Sequence, residues 1–251
     1  MSRFAGSFRH WSSDAGPCAI AGSAPLPVPT PSIRPSASLV LETAAVAIAA
    51  VAAVRLLHVH RPFGLHWLLI PCTLAVAALA PAWIARRDFP PVGLRVETIG
   101  PSLRATAVVC LCVLPPVYIG LWLLTCRGVP IPLRPSLAPG EDRLSWLLYQ
   151  FLYVAAAEEV FFRGYLQANT MRRLGESRLS PPARRWIAIA ISAGGFALAH
   201  VVVQGQIVSA LTFLPGLLMA WLFVRTRCLL ASILFHGLAN VSYGIMAAIL
   251  A

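Results

Sequence analysis

The chain has 251 residues, of which 58% are hydrophobic and only 12% are charged, and its formal net charge is +11. Soluble domains contain about 25% charged residues, so this composition excludes a soluble domain and indicates several membrane spans. The apolar runs are too long and continuous for barrel strands, and they predict an all-α, polytopic transmembrane helical bundle.

The positive charge comes from arginine alone, because the chain contains 20 Arg and no Lys. The arginines cluster at the ends of apolar segments, as topology determinants facing anionic headgroups do. The expected partner of this charge is therefore the lipid bilayer and not a nucleic acid. Arginine without lysine is typical of G+C-rich genomes, and we expect a bacterial cytoplasmic (inner) membrane as the location.

Two regions differ in composition. Residues 1–36 are rich in Ser, Pro and Gly and are expected to be a disordered tail, whereas residues 37–251 are expected to form the bundle. Seven apolar segments follow the tail, each near the ~20 residues that a span needs: 37–57, 65–85, 105–126, 144–167, 186–203, 206–224 and 228–250. The third contains Pro115-Pro116, which predicts a kink or a break, and an eighth helix would lie either in that break or in the tail.

Arginine bias predicts the orientation of these spans. Fourteen arginines lie in the tail and in the second, fourth and sixth loops, against five on the opposite side, which are Arg55, Arg61, Arg127, Arg134 and Arg143. The arginine-rich side is expected to face the cytoplasm, which places the amino terminus there and the carboxyl terminus outside.

Two adjacent acids lie inside the fourth apolar segment. A charge at membrane depth costs about 2.5–3.5 kcal/mol, so an intramembrane carboxylate indicates a functional site. Glu159 and Arg163 are four residues apart, in the favoured acid-before-base order, and are expected to pair. Glu158 has Phe162 as its i+4 neighbour and no cation on that face, so it is the carboxylate expected to act as a general base.

Histidine and amide side chains occur in two later spans. Phe196 and His200 share a helix face, so the ring is expected to wall a pocket and fix the imidazole. His236 and Asn240 also share a face and present two hydrogen-bond donors suited to an oxyanion. A rise of about 1.5 Å per residue places Glu158 and both histidines at similar depths, where they are expected to meet.

Structural roles for the same residues stay open at this point. A glutamate–arginine pair can simply lock two helices, and an intramembrane His or Asn often forms an interhelical hydrogen bond. A non-enzymatic membrane protein, either a self-immunity factor or a transporter-like binder, is therefore the alternative to an enzyme. The sequence carries no signal for an oligomeric state.

The three motifs together resemble one family. Glu158-Glu159-x-x-x-Arg163, Phe196-x-x-x-His200 and His236-x-x-x-Asn240 are similar to the motifs of the CAAX prenyl protease and bacteriocin-processing (CPBP, or Abi) family of intramembrane proteases. The resemblance covers residues 144–245, the expected catalytic core. It implies an α-helical intramembrane endopeptidase with a cavity open toward the cytoplasmic leaflet.

The resemblance also implies roles for individual residues. Glu158 and His200 would activate the attacking water, and His236 and Asn240 would stabilise the tetrahedral oxyanion. Glu159 and Arg163 would organise the site. The implied substrate is a membrane-associated protein or peptide that is prenylated, bacteriocin-like or a carboxyl-terminal sorting tail.

The sequence leaves metal dependence as a choice between two mechanisms. Glu158, His200 and His236 form a possible zinc set. The chain lacks a His-Glu-x-x-His helix, and an amide beside the second histidine suits an oxyanion hole better than a ligand shell. We therefore expect a cofactor-free enzyme in which a glutamate activates water.

Overall fold

The computed structural model describes residues 37–85, 87–92, 96–129 and 142–250. The tail of residues 1–36 lies outside this range. Seven helices run through the described part of the chain: α1 Ala37–His60, α2 His66–Ile84, α3 Val96–Cys126, α4 at 143–175, α5 Pro181–Gln204, α6 Phe213–Thr226 and α7 Leu230–Leu250. Two short 3₁₀ turns, Pro62–Gly64 and Ile207–Thr212, precede α2 and α6.

The prediction of a polytopic helical bundle is confirmed. Six helices of the described chain are long and apolar enough to cross a membrane, beginning with Ser38–His60 and ending with Leu230–Ile249. The remaining predicted span, 144–167, falls within α4, which is continuous but alternates between α and π geometry. Several helices extend beyond the apolar runs, because charged flanking residues such as Arg172 and Arg184 continue the helical backbone.

Pro115 and Pro116 do not break the third helix. Helix α3 runs without interruption through both prolines, so the expected break is wrong and this segment does not supply an eighth helix. A proline removes its own N–H bond, but neighbouring groups can restore backbone hydrogen bonding within a span. Helix α3 is also peripheral, with only 6% of its span buried in the protein.

Helix α4 occupies the centre of the bundle. It contacts α2, α5 and α7, while α6 packs on α5 and α7, and α3 packs on α7. Its start is capped by Asp142, whose carboxylate accepts from the Ser145 backbone N–H at 2.9 Å, and hydrogen bonds from Ser145 lower the pKa of this carboxyl. The core around α4 is aromatic and buried, and includes Phe161, Phe162, Tyr165, Phe196 and Phe235.

The helices alternate in direction, which gives the bundle two distinct ends. At one end, the Arg87 guanidinium pairs with Glu42 at the start of α1, and Arg172 donates to the Asp88 carbonyl. The backbone N–H of Leu229, just before α7, donates to the Pro91 carbonyl there. At the other end, Arg55 near the end of α1 donates to the Val203 carbonyl near the end of α5 at 2.8 Å. We call these the arginine end and the opposite end.

Candidate active site

The two glutamates lie on a short α segment between two π segments. Ala156–Glu159 is α-helical, whereas Tyr149–Ala155 and Val160–Gln167 have π geometry. Such π segments within α-helices occur frequently at functional sites. Glu158 is partly exposed, with a side-chain exposure of 17%, whereas Glu159 is fully buried. The two carboxylates therefore differ in environment, as the helical spacing predicts.

Glu159 joins two neighbouring side chains. Its Oε1 accepts from Arg163 Nη1 at 2.8 Å, so the predicted pairing of these two residues is confirmed. The same oxygen accepts from His236 Nδ1 at 2.9 Å, an interaction that the sequence analysis did not anticipate. Glu159 thus ties α4 to α7 as well as neutralising an arginine within its own helix.

Arg163 is held from three directions although it is completely buried. Besides Glu159, it donates from Nη2 to the Gly216 carbonyl at 3.0 Å, and its guanidinium carbon lies 4.8 Å from the centroid of the Phe196 ring. A buried charge is tolerated when it is paired and hydrogen-bonded. The arrangement supports the organising role expected for Glu159 and Arg163.

Glu158 faces both histidines. Its Oε2 lies 4.0 Å from His200 Nε2 and 3.8 Å from His236 Nε2, so the structure brings together the three groups that were expected to meet. These separations exceed a direct hydrogen bond. This Oε2 is buried and has no hydrogen-bond partner among the described residues. A polar gap of this width suits a bridging water.

In both His200 and His236, the ring nitrogen Nδ1 is held by a hydrogen-bond acceptor. His200 Nδ1 lies 2.9 Å from the Phe196 carbonyl, and His236 Nδ1 lies at the same distance from the Glu159 carboxylate. Both partners only accept, so we assign a proton to each Nδ1. The two Nε2 atoms then point toward Glu158 in a defined orientation.

The Phe196 ring packs behind the histidines. Its centroid lies 4.3 Å from the His200 ring and 5.6 Å from the His236 ring, the latter edge to face. The side chain is only 2% exposed. Phe196 therefore fixes both imidazoles from the protein interior, as expected for His200, and it does so for His236 too.

Asn240 lies one turn beyond His236 and is oriented by a residue that the sequence analysis missed. Its Nδ2 donates to Gln150 Oε1 at 3.1 Å, across from α7 to the first π segment of α4. Gln150 is a polar residue within an apolar span. This property marks it in the sequence as a candidate site residue. Glycine at position 237 permits this approach of α4, since a Cβ there would lie 2.4 Å from the Phe151 ring.

A cavity of about 260 Å³ gives access to these groups. Its lining contains the predicted residues Glu158, His200, His236 and Asn240. Four further lining residues were not predicted: Gln150, Val154, Gln204 and Tyr243. Glu159, Arg163 and Phe196 support the cavity from behind without lining it. The predicted catalytic residues thus line the cavity, and the predicted supporting residues lie buried behind them.

A zinc ion at this centre would take its ligands from Glu158, His200 and His236. In the described part of the chain, no group of three His, Cys, Asp or Glu side chains has the geometry of a metal site. The fixed Nδ1 atoms of the two histidines nevertheless match the outer hydrogen bonds of metal-bound histidine.

The fold and the site together define a polytopic helical membrane protein with a polar centre buried among α4, α5 and α7. Residues 140–242 match the family model described as Rce1-like, type II CAAX prenyl endopeptidase Rce1-like. This segment of the chain is similar to that family of endopeptidases, and it contains the three motifs, so the match confirms the resemblance read from them. Comparisons with curated proteins and with solved structures gave no match.

Proposed function

We propose that this protein is an intramembrane endopeptidase that hydrolyses a peptide bond in a membrane-associated protein or peptide. The family match supports a peptidase at the level of the family. The observation that carries the proposal is the position of the Glu158 Oε2, which is buried, lacks a hydrogen-bond partner among the described residues, and faces two histidine nitrogens at 3.8 and 4.0 Å.

The proposed reaction begins with a water in this gap. The Glu158 carboxylate accepts a proton from the water while His200 Nε2 accepts its second hydrogen bond, and the resulting hydroxide attacks the carbonyl carbon of the scissile bond. General base catalysis by a positioned carboxylate contributes about 10²–10⁴-fold. The protonated Glu158 then delivers its proton to the leaving nitrogen as the C–N bond breaks.

His236 and Asn240 are the proposed oxyanion donors. Asn240 Nδ2 uses one hydrogen to reach Gln150, which leaves its second hydrogen for the substrate. His236 can donate from Nε2 only when both ring nitrogens carry protons, and in that form the Glu159 carboxylate accepts the hydrogen bond from Nδ1–H. The two donors lie one helical turn apart on α7.

We propose that the reaction proceeds without a metal ion. The supporting observation is the Asn240 amide one turn beyond His236, because an amide donor suits an oxyanion hole better than a ligand shell. Glu158, His200 and His236 are the side chains that would hold zinc in the alternative. The expected substrate contacts are with a polypeptide and the bilayer.

The test is cleavage by purified protein carrying Glu158→Gln, which preserves side-chain shape and removes the base. We expect loss of peptide-bond hydrolysis with an unchanged melting temperature. Glu176→Gln is the matched control, because Glu176 is an exposed carboxylate paired with Arg173 outside the site. Full cleavage by folded Glu158→Gln protein would contradict the role of Glu158 as the base. Absence of cleavage by folded wild-type protein would favour the non-enzymatic alternative, in which the motifs serve only structure or binding.

A further inference from the structure

The position of the cavity within the bundle carries information about the side from which a substrate enters. Relative to Glu158, the lining residues Gln150 and Val154 lie toward the start of α4. Gln204 follows His200 toward the end of α5, and Tyr243 follows His236 toward the end of α7. Because neighbouring helices alternate in direction, all these positions lie on one side of the catalytic layer, at the opposite end of the bundle.

Contacts between helices confirm this assignment of ends. Tyr149 Oη donates to the Trp67 carbonyl at the start of α2, at 3.3 Å. Tyr118 Oη, late in α3, donates to the Ser242 carbonyl late in α7, at 3.2 Å. The starts of α2 and α4 and the ends of α3 and α7 therefore meet at the same end, which is the end away from Arg87 and Arg172.

On the arginine side of the catalytic layer, the protein is closed by packed side chains. Phe161, Arg163 and Gln167 of α4 are completely buried, and Ser192 of α5 donates to the Phe162 carbonyl at 3.1 Å. Gln167 in turn donates to the Ala220 carbonyl of α6 at 3.0 Å. None of these residues lines the cavity, which, among the described residues, extends from the catalytic layer toward the opposite end.

The distribution of arginine predicts which side of the membrane each end of the bundle faces. Among the described residues, the loops and helix termini at the arginine end carry nine arginines: Arg87, Arg104, Arg172, Arg173, Arg178, Arg184, Arg185, Arg225 and Arg227. The opposite end carries four described arginines: Arg55, Arg61, Arg127 and Arg143. Short loops rich in Lys and Arg face the cytoplasm. A cavity open to the cytoplasmic leaflet, as the family resemblance implies, is incompatible with this orientation.

We propose that the cavity opens to the extracytoplasmic side and that the substrate is an exported or membrane-anchored polypeptide segment, reached from that side. The proposal rests on the proposed endopeptidase function and specifies its substrate class. Cytoplasmic prenylated proteins are then excluded as substrates, because their cleavage site never reaches the mouth of the cavity.

The lining chemistry suits a polypeptide backbone. Gln150, Gln204 and Asn240 supply three amides, each able to donate and to accept, as a peptide N–H and C=O require. Among the described residues no arginine lines the cavity, so these residues offer no guanidinium to a free carboxylate or a phosphate. These features favour an internal, extended segment of an uncharged polypeptide over a free carboxyl terminus or a lipid headgroup.

Labelling of single cysteines in intact spheroplasts tests on which side of the membrane the cavity opens. Cys228 stays in place because it is fully buried, and the other five native cysteines are replaced by alanine. Gln206→Cys reports on the opposite end and Arg178→Cys on the arginine end, as a matched pair of exposed polar positions. A membrane-impermeant maleimide is expected to label Gln206→Cys in intact spheroplasts and Arg178→Cys only after permeabilisation. The reverse pattern overturns the proposal.

A second experiment tests whether cleavage depends on access to the cavity from the extracytoplasmic side. A charged, impermeant thiosulfonate added outside is expected to label Gln204→Cys at the cavity and to reduce cleavage of an exported model substrate at least tenfold, with Arg178→Cys unaffected. Unchanged cleavage in labelled Gln204→Cys protein overturns the proposal. The labelling pattern does not require activity, so loss of cleavage in every untreated protein would instead contradict the endopeptidase function.

Discussion

Glu159 and His236 lie 77 positions apart in the chain, and the carboxylate of one accepts a hydrogen bond from the imidazole Nδ1 of the other at 2.9 Å. The same carboxylate oxygen accepts from Arg163 at 2.8 Å. One buried acid therefore connects the charge of α4 to the orientation of a histidine on α7. The stability of the bundle and the geometry of its site depend on the same side chain.

Replacement of Glu159 is expected to destabilise the protein more than replacement of Glu158. Glu159→Ala leaves Arg163 buried without its counter-charge, and breaking a buried pair costs about 3–5 kcal/mol. Glu158→Ala removes a carboxylate whose Oε2 has no hydrogen-bond partner among the described residues. Thermal unfolding of both variants in detergent measures the difference. Equal melting temperatures would contradict the structural role assigned to the Glu159–Arg163 pair.

Asn240→Ala is expected to lower kcat by about 10²–10³-fold with little change in KM, because an oxyanion donor acts mainly on the transition state. His236→Ala should have a similar effect. The double variant should lose less than the product of the two single losses, since residues that act as a unit are not additive. Steady-state kinetics of the wild type, the two single variants and the double variant complete this double-mutant cycle. A purely multiplicative loss would indicate that the two side chains act independently.

Gln150 is expected to act as a positioning residue for Asn240. Gln150→Leu removes the acceptor at 3.1 Å and should lower kcat by about 2- to 12-fold, the effect of one hydrogen bond of about 0.5–1.5 kcal/mol. Gln150→Glu retains an oxygen acceptor and should restore most of the loss. A change in KM alone, or a failure of the glutamate to restore kcat, would assign Gln150 to substrate contact rather than to positioning of Asn240.

Chelators are expected to leave the purified enzyme active. If Glu158 and His200 activate water without a metal, phenanthroline should not reduce cleavage and metal analysis should find well below one ion per chain. The matched comparison is metal content in His200→Ala and His236→Ala protein. Stoichiometric zinc in the wild type that both substitutions release would establish these histidines as ligands and overturn the metal-free mechanism.

Close packing beside the site predicts a steric effect at one glycine. Gly237→Ala would place a Cβ 2.4 Å from the Phe151 ring, so the ring or helix α4 must shift. Because Phe151 follows Gln150, this shift should disturb the Gln150–Asn240 contact and lower both melting temperature and kcat. Gly194→Ala is the control, since a Cβ there meets no atom within 4 Å. Equal behaviour of the two variants would show that the ring moves freely.

The sequence by itself determined the features that depend on neighbours within one helix. The spans, the pairing of Glu159 with Arg163 and the shared faces of Phe196 with His200 and of His236 with Asn240 follow from helical periodicity and the cost of polar groups in lipid. Helix ends were less predictable, because α3 begins at Val96, before its apolar run, and α4 continues to Gly175.

The tertiary structure alone decided how the helices present these faces to one another. The His236–Glu159 and Asn240–Gln150 hydrogen bonds join α7 to α4 over 77 and 90 positions, and no local spacing specifies such partners. The direction of the cavity has the same origin. Helices α4 and α5 pack tightly on the arginine side of Glu158 and leave space on the other side, and this difference arises from the side chains that interlock between helices rather than from the pattern along any one of them.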